Sequence, residues 1–105
     1  MPFGILLVTD EDRIEFANQV FCDIFSLKDS PEDLLALSAK EMIEKIRVSY
    51  IDPDAAVTRI GEIVKQGRFV RGEDVGMLNG RTFLRDFIPI RLGEKNSAVY
   101  GSTRI

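Results

Sequence analysis

Apolar positions alternate, cluster and alternate again along the chain. Residues 3 to 9 (Phe-Gly-Ile-Leu-Leu-Val-Thr) form a β-rich apolar run, the charged stretch Asp10-Glu11-Asp12-Arg13 turns it, and Ile14 to Ala17 continue as a second short strand. Asn18 is placed to cap a helix that carries Val20, Phe21, Ile24 and Phe25 on one face, with Cys22 beside it. Ser30-Pro31 reads as a cap with proline at the first helical position, opening a short helix through Leu37. Ser38, with Glu41 three residues on, is a capping box before Met42, Ile43 and Ile46. Asp52-Pro53 repeats the start signal, and Ala56, Val57, Ile60, Ile63 and Val64 make an amphipathic stripe that Gly67 can stop.

After residue 68 the period becomes extended, with strands near 69 to 78 and 81 to 91 joined by Asn79-Gly80 and a last strand over 97 to 105, after a turn around Gly93 to Asn96. A two-residue loop sets Leu78 opposite Arg81, Gly76 opposite Phe83, Asp74 opposite Arg85 and Gly72 opposite Phe87, all on one face. Two strands, about four helices and three strands give an α+β fold with helices over one face of an antiparallel sheet.

Length allows one domain, and 45% hydrophobic with 30% charged residues allows a packed core. The apolar run Ile5 to Val8 is too short for a bilayer span or a signal peptide, so no direct membrane insertion is expected. One cysteine forms no internal disulfide and suits a reducing compartment, which makes the cytoplasm the default. A net charge of -3 argues against nucleic acid as a partner. Through position 52 the chain carries five basic against eleven acidic residues, and beyond it nine against six. That asymmetry reads as two solvated faces or as a charged docking surface.

With no histidine, His-ligated haem, His-based triads and most zinc sites are excluded. Cys22 lacks a local base or cation in sequence and reads as a small buried thiol. No Gly-rich phosphate loop is present, and no residue is assigned a catalytic or metal-binding role. The carboxylates Asp10, Glu11 and Asp12 fit a solvated turn, and Asp52 with Asp54 a helix start.

The ordered set of local signals resembles the PAS domains of bacterial sensor histidine kinases and related regulators. Met1-Pro2-Phe3-Gly4-Ile5 resembles openings of the form M-P-x-G-I, and Val8-Thr9-Asp10 through Ile14 and Ala17-Asn18 resembles the first hairpin and helix-opening Asn. Asn79-Gly80-Arg81 and Arg85-Asp86-Phe87-Ile88-Pro89-Ile90 resemble the turn and the R-D-aromatic-I-P-I strand of kinase-associated members. The resemblance implies a five-stranded antiparallel sheet, a pocket between the sheet and the third and fourth helices, and dimerisation. It also implies a sensory module of a longer multidomain regulator, passing its signal through a flanking helix to an output domain of the same chain. Catalysis would then belong to domains outside these residues. The chain departs at its end, where Thr103-Arg104-Ile105 stands in place of the Asp-Ile-Thr that often links to the output helix. It also lacks the Asn-Cys-Arg-Phe-Leu-Gln motif of cysteinyl-flavin photosensors.

In family phase Phe83, Arg85 and Phe87 face the helices, with Met42, Ile46, Val57, Ile60 and Val64 as an apolar wall. Two accounts of Arg85 stay open. It pairs with Asp74 across the hairpin, or it offers its fork to the anionic group of a ligand with Asp74 orienting it. Val75, Met77, Leu84, Ile88 and Ile90 form a second apolar face, expected against a flanking helix or a second subunit in a homodimer. Against the sensor that holds a small anionic or apolar ligand stand two alternatives. One is a small isomerase- or dehydratase-like enzyme using Asp74 and Arg85, and the other a ligand-free dimerisation scaffold.

Overall fold

The computed structural model describes residues 3–9 and 11–92 and the backbone of 95–102, with the side chains from Ile90 onward outside the described set. Expectations that rest on Met1, Pro2, Asp10, Gly93, Thr103, Arg104, Ile105 or the Ile90 side chain therefore lie outside the described residues. Strands β1 (Gly4–Thr9) and β2 (Ile14–Ala17) precede helices α1 (Gln19–Ile24), α2 (Pro31–Leu34), α3 (Ala39–Ile46) and α4 (Pro53–Gln66). Strands β3 (Val70–Gly76), β4 (Thr82–Leu92) and β5 (Lys95–Ser102) follow. The strands form an antiparallel sheet in the order β2-β1-β5-β4-β3. The α+β class follows from that arrangement.

The helix starts obey local chemistry. Asp52 accepts from the Ala55 N–H at 3.1 Å, with Pro53 at the first helical position. Ser30 with Asp33, and Ser38 with Glu41, close reciprocal capping boxes. The second helix ends at Leu34, short of Leu37, and the chain continues through turns. Gly67 ends α4 at φ 61, in the left-handed region that glycine enters without steric cost.

Asn18 does more than cap. Its Oδ1 accepts from the N–H groups of Phe21 (3.0 Å) and Ile5 (2.9 Å), and its Nδ2 donates to the Phe3 carbonyl (2.6 Å). One side chain thus fastens the start of α1 to β1.

The β3–β4 loop corrects the expected register. Gly76 pairs with Thr82, Val75 with Phe83, Asp74 with Leu84 and Glu73 with Arg85. Leu78, Asn79 and Gly80 form a three-residue loop, closed by the Met77 N–H on the Arg81 carbonyl at 2.9 Å, with Gly80 at φ 83. Asn79 keeps a negative φ and accepts from the Arg81 N–H at 3.0 Å. The physical reason is burial. This register turns Val75 and Met77 inward, to 8% and 3% exposure, where a two-residue loop would have turned Asp74 and Gly76 inward. Val75 and Met77 are therefore core residues, not part of an outer apolar face. The register shifts again between Val70 and Glu73, where Gly72 (φ 64) donates its N–H to the Asp86 carboxylate at 2.7 Å.

A 3-10 turn at Arg47–Ser49, absent from the sequence reading, leads into Tyr50. The stretch from Ser49 to Ile51 lies along the end of β3, the Ile51 N–H on the Gly76 carbonyl and the Leu78 N–H on the Ser49 carbonyl. Tyr50 thereby joins the core. Phe25 lies among Phe21, Tyr50 and Phe83, with ring centroids 4.9, 5.7 and 5.6 Å away at tilted or edge-on angles that suit aromatic quadrupoles.

Candidate functional site

The space between the sheet and α3–α4 holds a cavity of about 420 Å³. Its floor is apolar and buried, with Leu6 from β1, Phe21 and Phe25 from α1 and the turn after it, Met42 and Ile46 from α3, Ile60 from α4 and Phe83 from β4. Among the described residues, Tyr50 and Arg85 are its buried polar side chains. The exposed lining residues Asp12, Gly61, Val64 and Lys65 mark the mouth, between the β1–β2 turn and α4. Packed interiors leave few voids larger than a water molecule, so a space of this size is a built feature.

Arg85 is 4% exposed, the one buried charged residue among those described. Its Nη1 donates to Glu73 Oε2 at 2.9 Å. The other oxygen of Glu73 receives Arg59 of α4, from Nε at 2.8 Å and Nη2 at 2.6 Å. One carboxylate therefore stands between two guanidiniums and ties helix to sheet. Burial pushes the Glu73 carboxyl up, but the Arg59 hydrogen bonds and the charge of Arg85 outweigh it and hold the group below the usual carboxylate range. Burial pushes the Tyr50 phenol up, against the opposing pull of the Arg85 guanidinium. Arg85 also lines a second, more open cleft with Glu73, Asp74, Arg59 and Ala55, so it forms part of the wall between the two spaces.

Of the residues proposed from sequence, Met42, Ile46, Ile60, Val64, Phe83 and Arg85 line the cavity. Val57 is half-buried on α4 and does not line it; Phe87 is buried on β4 beyond it. Asp74 is exposed and opposite Leu84, so the expected Asp74–Arg85 pair is not formed, and the polar pair of the enzyme reading goes with it. The partner is Glu73. The alternation of Val75 and Met77 in sequence held the signal, since turning those two inward puts Glu73 on the Arg85 side. Tyr50 and Arg59 were missed for want of any local signal.

Cys22 is fully buried, and burial followed by the charges of Asp23 and Asp29 pushes its thiol up, away from the reactive thiolate. Among the described residues no cluster of Cys, Asp or Glu could hold a metal ion, and no helix is long and apolar enough to cross a membrane. On the outer face of the sheet, Phe16 (48% exposed) is paired to Leu7, which shares Val99 as a register partner with Ile88 (39% exposed). Leu84 lies half-buried on that same face.

Solved structures, three of them as follows, share this architecture. The chain of the Escherichia coli DhaR(N)-DhaL complex superposes with a TM-score of 0.72 at 10% identity over 100% of this chain, which spans 32% of that one. A domain of an HTR-like protein from Haloarcula marismortui gives 0.62 at 21% identity, covering 100% of this chain and 99% of that. A PAS domain from a two-component sensor histidine kinase gives 0.53 at 15% identity, covering 98% and 85%. These likenesses bear on the fold. No curated protein matches the sequence. A family model described as PAS domain matches residues 1–68, most of the chain and all of its helical layer, and the chain belongs to the PAS domain family.

Proposed function

We propose that this domain is the ligand-sensing module of a longer signal-transduction protein of the histidine kinase type. It holds a small molecule between sheet and helices and relays occupancy to an output domain. The observation that carries the reading is the cavity of about 420 Å³ that reaches a buried arginine. A domain whose interior served only as scaffold would gain stability by filling that space with side chains. The domain works in the cytoplasm, where its lone Cys22 stays reduced, and catalysis belongs to the output domain. A sensor histidine kinase among the structural neighbours and the DhaR(N)-DhaL complex supply the analogy for a protein partner.

The same proposal includes a homodimer formed through the outer sheet face, around Phe16, Leu84 and Ile88. Exposed apolar side chains gathered on one sheet face are what a subunit contact covers. Ile90 belongs to the same proposal by sequence position alone.

Mass spectrometry of the purified protein under non-denaturing conditions tests the sensory reading. A stoichiometric small molecule released on denaturation is expected. A ligand-free protein that also binds nothing from a metabolite library would favour the scaffold. Turnover by the isolated domain would sink both.

A further inference from the structure

We infer that the cavity takes an amphipathic monoanion, an alkyl or aryl carboxylate on the order of a dozen heavy atoms, entering past Gly61 and setting its carboxylate on Arg85. The inference rests on the sensory reading and names the ligand class for that same site.

Charge gives the head group. Arg85 carries five N–H donors, and its partners among the described residues are one oxygen of Glu73 and the Tyr50 hydroxyl. Glu73 is shared with Arg59, whose charge Glu62 also answers, so only one oxygen of one carboxylate is left to neutralise the guanidinium of Arg85. That charge sits on a buried side chain at the cavity wall, where an incompletely neutralised cation is costly and a second anion is favoured. A guanidinium can serve two carboxylates from two edges of its fork. Lys65 and Asp12 carry opposite charges at the mouth, which leaves Arg85 to set the sign inside.

Shape gives the body. Among the described residues the buried lining apart from Tyr50 and Arg85 is apolar, which disfavours a compact polyanion such as citrate or a nucleotide phosphate. A neutral hydrocarbon would fill the space but leave the charge of Arg85 unanswered.

Gly61 gives the route. It lies inside α4, where glycine costs about 1 kcal/mol relative to alanine. Its backbone has no positive φ, and an added Cβ would meet nothing within 4 Å, so neither strain nor packing calls for glycine. It lines the mouth, and the missing side chain keeps the way in open.

The test uses decanoate and decanol, matched in body and different in charge, titrated by calorimetry into protein stripped of any co-purified molecule by refolding. Decanoate is expected to bind with one-to-one stoichiometry and roughly tenfold or more tighter than decanol. The double variant Arg85→Gln with Glu73→Gln, which removes both charges together, should bring the two affinities to within about twofold. Gly61→Phe should abolish decanoate binding while cooperative unfolding persists, and Val64→Trp serves at the same mouth if Gly61→Phe does not fold. Equal binding of the two probes to the unaltered protein overturns the anion and leaves the sensory reading standing, as does a neutral molecule found in the protein as purified. Full decanoate binding by folded Gly61→Phe overturns the route. Failure of both probes overturns the inference, and the sensory reading falls with it only if the protein as purified is empty and also binds nothing from the metabolite library.

Discussion

Glu73 accepts a hydrogen bond from Arg85 at 2.9 Å while its second oxygen holds Arg59, so a single carboxylate joins the buried cation of β4 to helix α4. Removing it leaves Arg85 without its carboxylate partner. Glu73→Gln is expected to cost roughly 2 to 3 kcal/mol by urea unfolding, below the range for fully buried pairs because Glu73 and Arg59 are partly in water. Asp74→Ala, on the exposed side of the same strand, should stay within about 0.5 kcal/mol.

The same pair sets an acid limb. A carboxyl held below its unfolded value contributes stability that is present above that value and is lost as pH falls through the folded one. Unfolding free energy should therefore decline from about pH 5 downward through the ordinary carboxylate range, and Glu73→Gln should flatten that decline. An unchanged acid slope in the variant would remove Glu73 as its source.

Asn18 offers a sharper test of local chemistry. Asn18→Ala loses the helix cap and strands the Ile5 N–H and the Phe3 carbonyl, and should cost about 2 kcal/mol or more. Asn18→Asp keeps both acceptor bonds but loses the donor to Phe3, so it should fall between alanine and the native residue.

The buried thiol should be silent. At pH 8 an aromatic disulfide reagent is expected to modify Cys22 only as fast as the protein opens, with immediate reaction in denaturant. Prompt modification of the native protein would show that the helix around it opens far below the global unfolding free energy.

On the outer face, Phe16→Asp or Ile88→Asp should lower the mass seen by light scattering and leave the melting temperature of the monomer within a few degrees. Unchanged mass in both variants counts against a contact through this face.

Much of the chain was legible because its signals act over three or four residues. Ser30, Ser38 and Asp52 each reach a backbone N–H three residues on, and Gly67 needs only its own φ, so the helix starts and the long helix's end follow from neighbours. The register of β3 on β4 depends on which side chains find a core, and that is settled between distant segments. Asn79-Gly80 is compatible with two-residue and three-residue loops alike, and the burial of Val75 and Met77 chose the longer. That single-residue difference exchanged Asp74 for Glu73 beside Arg85. Val57 failed as a wall residue for a related reason, since a helical stripe is broader than the part of it that meets a cavity. Tyr50 owes its place to a strand-like contact with Met77, which no local pattern announces.

The bulge at Gly72 has a consequence for how the domain behaves in a crowded cell. β3 ends the sheet, and a flat terminal strand with open N–H and C=O groups would template the addition of strands from other molecules. Here the ladder is broken between Val70 and Glu73, the Gly72 N–H is taken by Asp86, and the far end of the strand is covered by Ser49 to Ile51. Arg71, Glu73 and Asp74 add charge along what is left. The strand that carries the partner of Arg85 is thereby poorly suited to seed a fibril from that edge of the sheet.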